Sequence, residues 1–316
     1  MEIQALPGAD ARLAAELHRW RGDQPGDGFL LAWLVTARVR AVGRENLDPG
    51  LLTALAGIDE RHRGADRYLD AFLDAVLAGH RDRRDGPTYL ALPLLELIAG
   101  DVRSHLDPDR LSALLIADVI TRENRDDSPL KPTIRERRTR HAARFVAEAE
   151  PGLGFGVPAP PGTAAGEWLS LTVLPVSTAH DEHMFIRALQ AYELVFGTLT
   201  HTLRAAARLA REGDTSAAVS AVEHADRVFR RASVLPRLLA TTRPADVREF
   251  GRNRWTTGAE LPGAYRDFER AFAEVPADLA GLRTALRSLE TSHRRWNTVR
   301  QGFARRLLAA ETDAAA

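Results

Sequence analysis

The feature that most constrains this chain is an apolar stripe running through Ser177–Thr198 and onward to the glycine at 213. Phe185, Ala188, Leu189, Tyr192, Val195, Phe196 and Leu199 recur at three- and four-residue steps, which places them on one face of a 3.6-residue repeat. A strand cannot hold that period, so the stretch predicts a single long helix. Thr178 is its candidate N-cap. Asp181 and Glu182 bring negative charge to the first turn, where the helix dipole favours it. Gly213 supplies the stop.

Helical spacing recurs on both sides of this stretch. It predicts helices over Asp10–Gly22, Gly28–Val42, Leu51–Gly57, Ala65–Gly79, Tyr89–Gly100, Arg110–Arg122 and Pro132–Glu150, with a kink at Pro93. Beyond Gly213, Asp214 opens a helix that is broken near Pro236. Short helices follow at Pro244–Gly251 and Ala264–Glu274, separated by a polar loop over Arg252–Gly263, and a long helix closes the chain from about Leu279 to Leu308. Strand alternation is almost absent, so the class is all-α. Residues 1–150 read as an N-terminal helical domain. The proline- and glycine-rich run 151–165 reads as a linker, or a lid over a pocket, and 166–316 as a second helical domain.

A chain of 316 residues suits one large or two modest domains. Its 43 basic and 43 acidic residues cancel and intersperse, which argues against a nucleic-acid or anionic-membrane footprint. There is no cysteine, so disulfides, thiolate-ligated haem and covalent haem attachment are excluded. No apolar run reaches the ~18–20 residues of a membrane span, and no signal-type segment opens the chain; a cytoplasmic protein is expected. No phosphate-loop, dinucleotide or nucleophile-elbow fingerprint is present.

His180, Asp181, Glu182, Phe185, Ile186, Gln190, Glu193 and Leu194, preceded by GEWLSLTVLPVS, form a pattern that resembles the N-terminal signature of the tryptophan 2,3-dioxygenase superfamily. The segment GAYRDFE (263–269), and Trp296, Phe303 and Arg306 in the closing run, are similar to further motifs of that family. The resemblance implies a dioxygenase-like helical core in 166–316 with the N-terminal helical domain added to it. It implies substrate contacts at Phe185, Tyr265 and Arg266, the last clamping a carboxylate. Leu189 stands where the family carries its distal histidine, and Arg300 where the family carries the histidine that ligates haem iron. A guanidinium stays protonated and offers no lone pair to a metal. No cofactor is therefore expected. Haem remains the alternative, with His293 or His201 as the replacement ligand.

Periodicity gives Arg300 a second meaning. Leu282, Leu286, Leu289, His293, Trp296, Arg300, Phe303 and Leu307 step by three or four and predict the inward stripe of the closing helix, with His293 ~10 Å from Arg300 along the axis. An inward arginine needs a partner. It either pairs with Glu193 or another core carboxylate, or binds an anionic ligand. The candidate site is thus Arg300, Arg266 and Glu193 as the chemical groups, walled by Phe185, Leu189, Tyr192, Tyr265, Trp296 and Phe303. His180 and His183, three apart, are a weak metal pair, and no metal site is expected.

Three functions follow. The first in order of fit is a haem-free enzyme that binds an anionic or amino-acid-like small molecule and catalyses a non-redox biosynthetic step such as cyclisation, elimination or group transfer. The second is a haem-dependent oxygenase of an aromatic amino acid or indole. The third is a non-catalytic partner subunit. A homodimer, or a heterodimer with a related subunit, is the expected assembly.

Overall fold

The computed structural model of the chain describes residues 9–24, 26–81, 85–101, 103, 106–153, 156–251, 263–277 and 279–312, with backbone alone at 9, 280 and 303–312. The described residues are helical, with no strand among them. In chain order the helices are α1 (Ala9–Arg19), α2 (Asp27–Val42), α3 (Pro49–His62), α4 (Arg67–Val76), α5 (Gly86–Tyr89), α6 (Leu92–Ala99), α7 (Pro108–Glu123) and α8 (Pro132–Ala149). They continue with α9 (Ala164–Leu169), α10 (His180–Arg211), α11 (Thr215–Ala232), α12 (Leu235–Leu239), α13 (Pro244–Gly251), α14 (Gly263–Ala273) and α15 (Ala280–Thr312). Among the described residues no helix is long and apolar enough to cross a membrane. The predicted polar loop at 252–263 lies, up to residue 262, outside the described residues.

Local chemistry explains a third of the helix starts. Asp48, Asp66, Asp85, Asp107 and Asp214 each accept backbone N–H groups from the first turn that follows them. Two expectations need correction. Pro93 does not kink a helix over 89–100; the chain breaks at Ala91, which takes a left-handed φ of 49°, and α6 restarts with the proline in its first turn. Thr178 does not cap α10. Its N–H and hydroxyl donate to Glu249 Oε1 instead, at 3.2 and 3.1 Å. The Asp246 carboxylate, from α13, accepts the Asp181 N–H at 3.0 Å. A cap supplied from 65 residues away leaves no local trace in the sequence.

The chain forms two compact units that interleave along it. The first contains 1–106, 160–186 and 245–256; the second contains 107–159, 187–244 and 257–316. The expected division at 150 and 166 is a division along the sequence, whereas the units are defined by packing. α10 contributes to both, with its residues through Ile186 in the first and those from Arg187 in the second.

In the first unit α1 packs on α3, α2 on α4, and α6 on α9. Trp168 on α9 is its aromatic anchor, stacked on Tyr68 and edge-on to Phe29 and Phe72. The backbone of 175–177 runs so close to Gly43 that a Cβ there would meet Val176 O at 2.5 Å, and Gly43 also holds a φ of 82°, so only glycine fits. Glu182, fully buried, accepts the Val176 and Ser177 N–H groups, the Ser177 hydroxyl and the Tyr89 hydroxyl at 2.6 to 3.2 Å. Burial pushes this carboxyl up, and those hydrogen bonds oppose the shift.

In the second unit α7 packs on α8 and α11 on α15, with α12 against α8 and α15. Arg138 on α8 is fully buried and meets Glu123 of α7 at 2.6 Å, while its remaining N–H groups donate to Thr241 Oγ1 and O, both at 3.1 Å. Arg187 on α10, also buried, bonds Asp118 at 2.7 Å and Gln190 Oε1 at 3.0 Å. Each of these inward cations has the partner its desolvation demands.

Candidate functional site

The second unit is centred on an aromatic cluster built by α10, α11, α14 and α15. Phe196 is in its middle, with ring centroids of Tyr265 at 5.1 Å, Trp296 at 5.4 Å, Tyr192 and Phe268 at 5.7 Å and Phe229 at 6.0 Å. These residues meet because Tyr192 and Phe196 lie four apart on α10, Tyr265 and Phe268 three apart on α14, and His293, Trp296 and Arg300 at three- and four-residue steps on α15. Trp296 is 1% exposed and stacks on Tyr265 at 5.3 Å.

One edge of the cluster is polar. The Tyr265 hydroxyl is 2.7 Å from His293 Nε2. Burial, and then the nearby Glu269, pushes the phenol well above its ordinary value. Burial holds the imidazole below the usual histidine range, with Arg300 adding to that and Glu269 and Glu290 opposing it. Both groups are therefore neutral near pH 7, and the phenol can donate to Nε2 when the ring proton sits on Nδ1.

Arg300 lies on the same edge. It is half-buried, with its guanidinium carbon 5.7 Å from the Trp296 ring centroid, and its Nε donates to Asn297 Oδ1 at 3.2 Å. Among the described residues it has no carboxylate partner. The Trp296 indole N–H is buried and makes no well-aligned hydrogen bond. It faces the Tyr192 hydroxyl, which burial pushes well above its ordinary value; Trp296 and Arg300 pull the other way.

Of the residues expected from the sequence, Arg300, Trp296, Tyr192 and Tyr265 come together at this edge. Arg266 is on α14 beside Tyr265 but is exposed, and Glu193 and Leu189 are half-buried on α10. Phe185 is in the first unit, packed on Phe250 at 5.0 Å. The Phe303 side chain lies outside the described residues. His201 is exposed on α10. His180 is half-buried and His183 buried, and among the described residues no three histidine, aspartate or glutamate side chains are grouped as a metal site.

Sequence reasoning missed Asn297, and it treated Tyr265 and His293 as unrelated candidates. The i, i+3 spacing of Asn297 and Arg300 was a usable signal for the first. The second had none, because 28 residues separate the partners. No family model, no curated protein and no solved structure matches the chain.

Proposed function

We propose that the protein binds an anionic, amino-acid-like small molecule at the edge of the Tyr192–Trp296 cluster and catalyses a non-redox step on it. The observation that carries this reading is Arg300, stacked over Trp296 without a carboxylate partner among the described residues. A ligand carboxylate would take a charge-assisted contact from the guanidinium. The aromatic faces around it suit a flat or apolar substrate body.

Tyr265 and His293 provide the chemistry in this reading. A neutral phenol hydrogen-bonded to a neutral imidazole can give a proton to one substrate atom while the ring accepts one from another, which is what an elimination or cyclisation needs. The haem-free part of the proposal rests on the resemblance to the tryptophan 2,3-dioxygenase superfamily, with Arg300 and Leu189 at the positions of its two haem-pocket histidines.

Calorimetric titration with aromatic amino acids and aryl carboxylates tests the reading. Binding to the wild-type chain that weakens by about tenfold or more in Arg300→Met, with an unchanged unfolding midpoint, is the expected result. Binding that ignores the substitution would sink the proposal. So would a histidine-ligated Soret spectrum after haem titration, abolished by His293→Ala or His201→Ala.

A further inference from the structure

The second unit also carries a cationic pocket, lined by residues other than those of the Tyr265–His293 edge. Its volume is about 360 Å3, and it is formed where α8, α11, α12 and α15 converge. Arg144 and Glu148 line it from α8, Arg230 from the last turn of α11, Arg237 from α12 and Arg295 from α15.

The charges there are unevenly matched. Arg144 pairs with Glu148 at 2.7 Å, and Arg230 with Asp226 at 2.8 Å. Arg237 and Arg295 have no carboxylate partner among the described residues. Arginines near a helix end can serve its unsatisfied carbonyls, but here the Ser233 N–H already takes Phe229 O and Arg230 O, both at 3.2 Å. Nearby His141 carries a second mark of the positive field: after burial, Arg237, Arg137, Arg140 and Arg144 each hold its imidazole below the usual range.

We infer that this pocket binds a phosphorylated small molecule, with Arg237 and Arg295 as its principal contacts and Arg144 and Arg230 flanking them. Guanidinium forks match phosphate oxygens, and the several terminal oxygens of one phosphate can be shared by two arginines at once. The volume falls within the range of roughly 300–1,000 Å3 typical of small-molecule sites, so a phosphate ester fits the space better than a bare ion. Glu148 selects against ligands whose body is itself acidic.

The test is calorimetric titration of the full chain at low salt with inorganic phosphate, pyrophosphate and glycerol 3-phosphate. Wild type is compared with the Arg237→Gln/Arg295→Gln variant, with each single variant, and with Arg204→Gln as a control at an equally exposed arginine outside the pocket. The expected result is tighter binding of pyrophosphate and glycerol 3-phosphate than of phosphate. Affinity should fall about tenfold or more in the double variant and several-fold in each single one, with Arg204→Gln unchanged. The single variants keep the test decisive if the double variant folds poorly. Equal affinity for all three probes, insensitivity to the substitutions, or no binding to the wild-type chain would overturn the inference.

Discussion

The Tyr265 hydroxyl stands 2.7 Å from His293 Nε2, tying α14 to α15 at the polar edge of the aromatic cluster. Each residue is carried there by the buried stripe of its helix, Phe268 beside Tyr265 and Trp296 beside His293. The contact leaves a proton donor and a proton acceptor adjacent, with the Arg300 guanidinium on the same edge.

That pair predicts an acid-side loss of stability. Burial lowers the His293 pKa below its ordinary 6.5, so near and below that pH the unfolded chain binds more protons than the folded one. Stability should therefore fall as pH drops below about 6.5, until the folded imidazole is itself protonated. His141 shifts in the same direction and contributes likewise. Urea midpoints from pH 5 to 8 should show a shallower decline in His293→Gln, which can still accept from Tyr265. A decline in His293→Gln as steep as that of the wild-type chain would contradict the assignment.

Arg300 and Arg138 should respond oppositely to replacement by methionine. Arg138→Met strands a buried Glu123 carboxylate and should cost ~3–5 kcal/mol, with partial recovery in the Arg138→Met/Glu123→Gln double variant. Arg300→Met strands no carboxylate and should change stability by less than ~1 kcal/mol. Chemical denaturation of the two variants side by side measures the contrast. Equal losses would return Arg300 to the role of a core ion pair.

Glu182 should be among the costliest polar side chains to remove. Glu182→Ala leaves four donors without their acceptor and should destabilise the chain by more than ~3 kcal/mol, whereas Tyr89→Phe removes a single bond and should cost about 1 kcal/mol. Thermal unfolding midpoints would separate the two.

The distant cap on α10 gives a further prediction. Asp246→Ala should cost ~0.5–2 kcal/mol, the range for losing an N-cap acceptor, and Asp246→Asn should cost less because its amide oxygen still accepts. Faster hydrogen exchange at the Asp181 amide in Asp246→Ala, but not in Thr178→Ala, would locate the effect. Similar exchange in both variants would restore Thr178 to the capping role.

The sequence alone determined the all-α class and most helix limits, since both follow from local signals: apolar residues at three- and four-residue steps, aspartate caps and proline starts. It also marked Tyr192, Trp296 and Arg300 as inward-facing, because helical periodicity fixes the azimuth of a side chain whatever packs against it. Tertiary structure decided the rest. It joined 160–186 and 245–256 to the N-terminal residues in one compact unit, replaced Thr178 by Asp246 at the start of α10, and brought Tyr265 to His293. These are contacts between residues far apart in the chain, chosen by which buried donors and acceptors could satisfy one another once the helices packed. Such pairing is a property of three-dimensional proximity, and no local pattern in the sequence encodes it.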